Sequence, residues 1–185
     1  MFESIRSIGC IVNVGIDALL RLRLPCQDML PMGWIAHVGT GPRYSALTLQ
    51  EQRAMMTMWI ISRAPLIWGG DPARSNATTL ALLSNRAALE VQNTTCRNQV
   101  LASVSTNDTV VWAAQSSKHS DARVVAMFNL GDSTTIVKAP WKTLGLKAPP
   151  KESRALWPGA SPVSSGALAL ESALQPHDAV LVEVH

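Results

Sequence analysis

Gln27-Asp28-Met29-Leu30-Pro31-Met32-Gly33-Trp34 and, about thirty residues on, Ser62-Arg63-Ala64-Pro65-Leu66-Ile67-Trp68-Gly69-Gly70-Asp71 decide how this chain folds. In the first stretch an acidic residue stands at an apolar run. The second is a short apolar run that ends in Gly-Gly-Asp. Between them lies a helical pattern. The order is strand, helix, strand, with polar residues where each strand gives way to a loop. In (β/α) barrels the catalytic groups occupy such strand ends.

The intervening helix has its own start and stop signals. Thr48 is placed to cap it, and Glu51 three residues later completes a capping box. From Leu49, residues Met55, Met56, Trp59, Ile60 and Ile61 share one broad face, while Gln50, Gln52 and Arg53 cluster in the first turn. The pattern predicts a helix that buries one side. It ends near Arg63-Ala64, because Pro65 disfavours helical geometry in the residue before it. Leu66-Ile67-Trp68 then reads as a short buried strand closed by Gly69-Gly70. A second helix is expected over 78–83 and a helical turn over 87–91.

After Asn93 the period becomes two. Strands are expected over 100–104, 109–113, 123–130 and 179–184. Gly131-Asp132 marks a turn, and Thr134-Thr135-Ile136-Val137 follows directly, which predicts a hairpin with the preceding strand. Short strands at this spacing suggest an antiparallel sandwich. The junction near Asn93 has no flexible-linker composition and reads as packed.

Composition limits the partners. The chain has 185 residues, 47% of them hydrophobic, so a buried core is feasible. Sixteen basic residues face thirteen acidic ones, spread evenly along the chain, which argues against a nucleic-acid surface. No run is long and apolar enough to span a membrane as a helix, and no signal peptide is recognised in the N-terminal apolar segment. Cys10, Cys26 and Cys96 are too few and too scattered for a disulfide framework or a metal site. Sequons at Asn76, Asn93 and Asn107 fit a secreted protein, and equally fit chance in a chain rich in Ser and Thr.

The DMLPMGW stretch, the helix from Leu47-Thr48-Leu49-Gln50-Glu51-Gln52-Arg53 to Met58-Trp59, and Ala64-Pro65-Leu66-Ile67-Trp68-Gly69-Gly70-Asp71 resemble glycoside hydrolase family 27, the melibiase or α-galactosidase family. The resemblance continues through residues 78–85 and 89–93, and is weaker at Leu156-Trp157 and 174–178. It is most like the plant-like and bacterial members, and covers roughly residues 25–185.

The resemblance implies the C-terminal end of a (β/α)8 TIM barrel, about two βα units, followed by an antiparallel β-sandwich. It divides the chain into an unassigned segment 1–24, a partial barrel 25–93 and a sandwich domain 94–185. It implies retaining hydrolysis of terminal α-galactosides by two carboxylates, with no metal and no organic cofactor. Both carboxylates would come from strands upstream of Asp28, so this chain alone is expected to lack the nucleophile and the acid/base. A full barrel takes about 200 residues or more, and only some ninety precede the sandwich here. Asp28 and Met29 match positions that line the sugar pocket. Asp28 would bind hydroxyls or order water.

The sequence departs from the family where Cys26 replaces an Asp, and residues 1–24 match nothing in it. The expected ligand is a carbohydrate. Nucleic acid and membrane are not expected as partners. An extracellular or lysosome-like compartment suits the intact family member. An open barrel end would invite association to cover its edge. The alternative is a non-catalytic carbohydrate-binding or interaction protein derived from the same family.

Other residues carry weaker signals. Asp71, between Gly-Gly and Pro72, reads as a turn or cap residue. Trp34 and Trp68 read as core aromatics, with a sugar-stacking platform as the alternative. His37 falls in a loop without a partner at matching spacing. His177, after Pro176, closes a turn before the last strand.

Overall fold

A computed structural model describes residues 29–37, 41–119 and 121–185, and the side chains of Ala36 and His37 lie outside the description. Asp28, Cys10, Cys26 and the segment 1–24 lie outside the described residues.

The described chain opens with Leu30 in a parallel bridge to Trp68, closed by a 2.8 Å hydrogen bond from the Leu30 amide to the Ile67 carbonyl. A hairpin follows, β1 (Trp34–His37) with β2 (Gly41–Tyr44). Then come three helices: α1 (Leu49–Ile61), α2 (Ala77–Leu83) and α3 (Arg86–Thr94). Each has a side-chain cap. Thr48 and Glu51 form the expected capping box on α1, Asn76 accepts from the Thr79 amide, and Asn85 accepts from the Ala88 amide. Such oxygens satisfy amides that the first turn leaves without partners.

Two antiparallel sheets complete the fold. The larger runs in the order β3 (Thr95–Val100), β4 (Thr109–Ser116), β5 (Arg123–Asn129), β10 (Ala179–Val184), β7 (Ser153–Ala155). The smaller runs β6 (Thr135–Pro140), β9 (Ala169–Leu174), β8 (Val163–Ser165). The central strands are buried on both faces. On one face Val110, Trp112, Ala114, Val124, Ala126, Phe128, Ala179 and Leu181 join the helices in one core. On the other, Val111, Ala113, Val125, Met127, Val180, Val182 and Val184 meet the smaller sheet. Side chains alternate across a strand, so a strand covered on both sides reads as a continuous apolar run. The result is three layers: helices, large sheet, small sheet.

Four local expectations are corrected. Helix α1 is buried from Gln52 to Ile61, not on one side alone. The large sheet covers one face, and α2 and α3 pack on it as well. Gln52 and Arg53 go inside because their polar atoms are matched there: Gln52 bonds the Leu47 carbonyl and the Thr79 hydroxyl, and Arg53 pairs with Asp178. Leu66-Ile67-Trp68 is a single bridge rather than a buried strand, with Ile67 54% exposed. Only Leu30 pairs with it among the described residues. The strand expected over 100–104 instead occupies Thr95–Val100 and gives way to a 3-10 turn at Ala102–Val104.

The hairpin expected across Gly131-Asp132 does not form, because β6 pairs with β9 in the other sheet. Asn129 spans this crossing with hydrogen bonds. Fully buried, it donates to the carbonyls of Ser133, Leu174 and Gln175 and accepts from the Gly131 amide.

The junction is packed, as expected. Arg53 reaches Asp178, the Trp157 indole donates to the Thr57 hydroxyl at 2.7 Å, and the Asn85 amide donates to the Leu156 carbonyl at 2.8 Å.

Candidate functional site

The two segments singled out in the sequence meet at one place. The parallel bridge sets Leu30 beside Trp68, and the residues after each strand end pair again where Ile35 bridges Gly70. The Asp71 amide donates to the Trp34 carbonyl at 2.9 Å, and the Trp68 indole donates to the Met32 carbonyl at 2.9 Å. Met29 lies over Gly69: a Cβ on that glycine would stand 3.3 Å from the Met29 sulfur and terminal methyl. Met29 is 53% exposed.

Asp71 builds a turn. Its carboxylate accepts from the Ala73 amide at 2.9 Å, and its carbonyl accepts from the Ser75 hydroxyl at 2.8 Å. Ser75 in turn accepts from the Trp34 amide at 2.9 Å. Gly33 makes this close approach available, with φ at +68° and a virtual Cβ only 2.4 Å from the Ser75 oxygen. Only glycine fits there without displacement.

Of the two tryptophans read as core aromatics, Trp68 packs against the core. Trp68 is turned inward under Gly70, where an added Cβ would stand 2.5 Å from its ring. Trp34 pairs instead with Tyr44, directly opposite in the hairpin, with ring centroids 5.1 Å apart in an edge-on geometry. The Arg74 guanidinium sits 5.4 Å from the Trp34 centroid, and the Tyr44 hydroxyl donates to the Arg74 carbonyl. Tyr44 and Arg74 were missed in the sequence. The signal available was Gly39-Thr40-Gly41-Pro42, turn chemistry that sets two aromatic-bearing segments in register.

Elsewhere the carboxylates serve structure. Asp178 is bound by Arg53 and by the Ala179 amide. Glu51 caps α1, and the His177 imidazole lies 2.9 Å from Asp132 in the turn expected of it, at φ +58°. A hydrogen bond from Lys118, helped by its charge, holds the Glu90 carboxyl below its ordinary value. Among the described residues no cluster of His, Cys, Asp and Glu is arranged to hold a metal ion. None of the described helices is long and apolar enough to cross a membrane.

No protein-family model matches the chain. An α-galactosidase from Cyamopsis tetragonoloba is 32% identical over 132 residues, covering 69% of this chain and 31% of that protein. α-Galactosidase 3 of Arabidopsis thaliana is 27% identical over 156 residues, covering 80% of this chain and 34% of that protein. Among solved structures, a family-27 β-L-arabinopyranosidase from Geobacillus stearothermophilus superposes with a TM-score of 0.73 at 34% identity. That match covers 87% of this chain and 37% of the enzyme.

The chain is a relative of glycoside hydrolase family 27, matching its C-terminal part.

It spans about a third of the length of the curated relatives it matches. The family-27 match extends over the helix layer and the sheets together, since it takes in most of the described residues. Of the two residues that the resemblance assigns to the sugar pocket, Met29 stands exposed at the bridged strand ends. Asp28 lies outside the described residues.

Proposed function

We propose that this chain is the C-terminal portion of a retaining family-27 glycosidase acting on terminal α-galactosides. Residues 25–93 are the last βα units of its barrel, and 94–185 its sandwich domain. The nucleophile and acid/base are supplied by segments outside these residues. Asp28 and Met29 line the sugar pocket, with Asp28 binding hydroxyls or ordering water. The observation that carries this reading is the parallel Leu30–Trp68 bridge, with α1 lying between the two bridged segments in the chain. A strand–helix–strand crossover with a parallel pairing is the repeating unit of such barrels. The names of the matched relatives, α-galactosidases and a β-L-arabinopyranosidase, support a glycoside as substrate class.

The chemistry asks for two carboxylates about 5 Å apart. Glu51 serves a cap, Asp71 a turn, and Glu90, Asp132, Glu171, Asp178 and Glu183 ion pairs, which supports an origin for that pair elsewhere. What these residues contribute is one wall of a sugar pocket and the domain that braces it.

The test is hydrolysis of p-nitrophenyl α-galactoside, by the purified 185-residue chain and by the same chain extended with upstream coding sequence. The chain alone is expected to be inactive, and the extended protein active. Turnover by the chain alone, lost on Asp28→Asn, would overturn the assignment of the catalytic pair to other segments. An extended, folded protein that binds galactosides without turnover would favour the non-catalytic carbohydrate-binding alternative.

A further inference from the structure

The β1–β2 hairpin carries an aromatic pair at the strand ends whose surroundings combine features that a sugar ring requires. Tyr44 is 50% exposed. Its ring stands edge-on to Trp34, fixed by the register of the hairpin. The Arg74 guanidinium, with 62% of its side chain exposed, lies over the Trp34 ring 5.4 Å from its centroid, which leaves Tyr44 as the open ring, and the Asp71 carboxylate is 3.5 Å from Arg74. A pyranose has an apolar C–H face and a rim of hydroxyls. The aromatic face accepts the first. Arg74 donates to the rim, and Asp71 accepts from it.

The support behind these groups is rigid. Trp34 is held through its amide by Ser75 and through its carbonyl by the Asp71 amide. The Tyr44 hydroxyl is held by the Arg74 carbonyl. Hairpin and turn therefore form one unit, joined to the bridged strand ends by the Ile35–Gly70 pairing. Preorganised aromatics cost little entropy on binding.

We propose that Tyr44 and Trp34, with Arg74 and Asp71 at the rim, form a stacking subsite for a neutral sugar ring. The sugar is the leaving-group portion of an oligosaccharide. This rests on the glycosidase reading for the identity of that portion, but the binding itself is a property of the described residues.

The experiment is saturation-transfer NMR and calorimetry on the 185-residue chain, with raffinose and galactose as probes. Raffinose is expected to bind, with saturation strongest on its glucose and fructose protons and weak on galactose. Tyr44→Ala should lower raffinose affinity about tenfold, a change equal to about 1.4 kcal/mol. Tyr44→Phe should retain most of it, since the ring remains. Arg74→Met should weaken binding with the hairpin intact, as judged from the backbone amide spectrum. Binding unchanged by Tyr44→Ala and Arg74→Met would place the sugar elsewhere and overturn the inference. Absence of raffinose binding to the folded chain would overturn it as well. Both outcomes leave the hydrolysis assay on the extended protein free to succeed, so failure of this subsite and failure of the glycosidase reading are separable.

Discussion

Arg53 and Asp178 are joined by two parallel hydrogen bonds of 2.8 Å, one from Nε to Oδ1 and one from Nη2 to Oδ2, at 5% and 1% side-chain exposure. The pair ties helix α1 to the start of β10 across 125 residues of sequence. Its other atoms are also satisfied: Arg53 donates to the Gly159 carbonyl at 3.0 Å, and Asp178 accepts from the Ala179 amide at 2.8 Å. Removing one partner strands a buried charge, which costs about 3–5 kcal/mol. Arg53→Met and Asp178→Leu should each lose that much in urea unfolding. The double variant Arg53→Met/Asp178→Leu should lose less than either, because no charge is left unpaired. Additive losses would show that the two residues do not act as a pair.

Gly33→Ala tests the link between the strand end and the Asp71 turn. A left-handed backbone costs a non-glycine residue about 1–2 kcal/mol, and the new methyl would meet Ser75 Oγ at 2.4 Å. Displacing Ser75 also removes the acceptor of the Trp34 amide. The expected result is a loss above the backbone cost alone, with a changed Trp34 indole environment. Adding Ser75→Gly should relieve the steric part and leave the backbone cost together with the lost Ser75 hydrogen bonds. Equal losses in the single and double variants would show that the clash with Ser75 contributes nothing.

Signals confined to a few residues were legible in the sequence, and signals that depend on a distant partner were not. Thr48 and Glu51 announce the start of α1 because a cap is completed within one turn. Arg53, five positions on, reads as a surface residue until Asp178 is known to meet it. Likewise Gly131-Asp132 reports a chain reversal but not which strand receives it. Thr135–Pro140 pairs with Ala169–Leu174, and the side chain that spans the crossing, Asn129, ends an ordinary-looking apolar strand. At the site, the strand ends and the turn at Asp71 were readable from Gly-Gly-Asp and Pro. Trp68 packs against the core, in line with its reading as a core aromatic. That Tyr44 stands beside Trp34 is visible only once the hairpin register is fixed.

Glu90 and Lys118 give a pH-dependent signature at the surface. The hydrogen bond from Lys118, then its charge, lowers the Glu90 carboxyl from 4.5. A carboxyl lowered on folding contributes stability above its ordinary value, and that contribution is lost as pH falls through the lowered folded value. NMR titration of the Glu side-chain carbons should place Glu90 below 4.5 and return it toward that value in Lys118→Met. Added salt should shrink the difference, because exposed pairs are screened. A Glu90 midpoint that ignores Lys118→Met would assign the shift to Arg154 and Arg86 instead.

Asn129→Leu tests whether one side chain holds the crossing between the sheets. Its amide nitrogen serves the carbonyls of Ser133, Leu174 and Gln175 at 2.8, 3.1 and 2.9 Å, and its oxygen serves the Gly131 amide at 3.0 Å. Leucine has a similar volume, so packing is disturbed little while these four groups lose their bond to Asn129; the Gln175 carbonyl keeps the Asp178 amide. A buried polar group left unsatisfied costs about 1–3 kcal/mol, and Asn129 itself is fully buried. Urea unfolding should show a loss of at least that size, and the Gly131 amide should exchange with solvent faster. Asn129→Asp should be less stable at neutral pH than in acid, because the ionised carboxylate would face three carbonyls. A loss below about 0.5 kcal/mol, ordinary for an uninvolved surface position, would mean that strand pairing alone directs β6 into the second sheet.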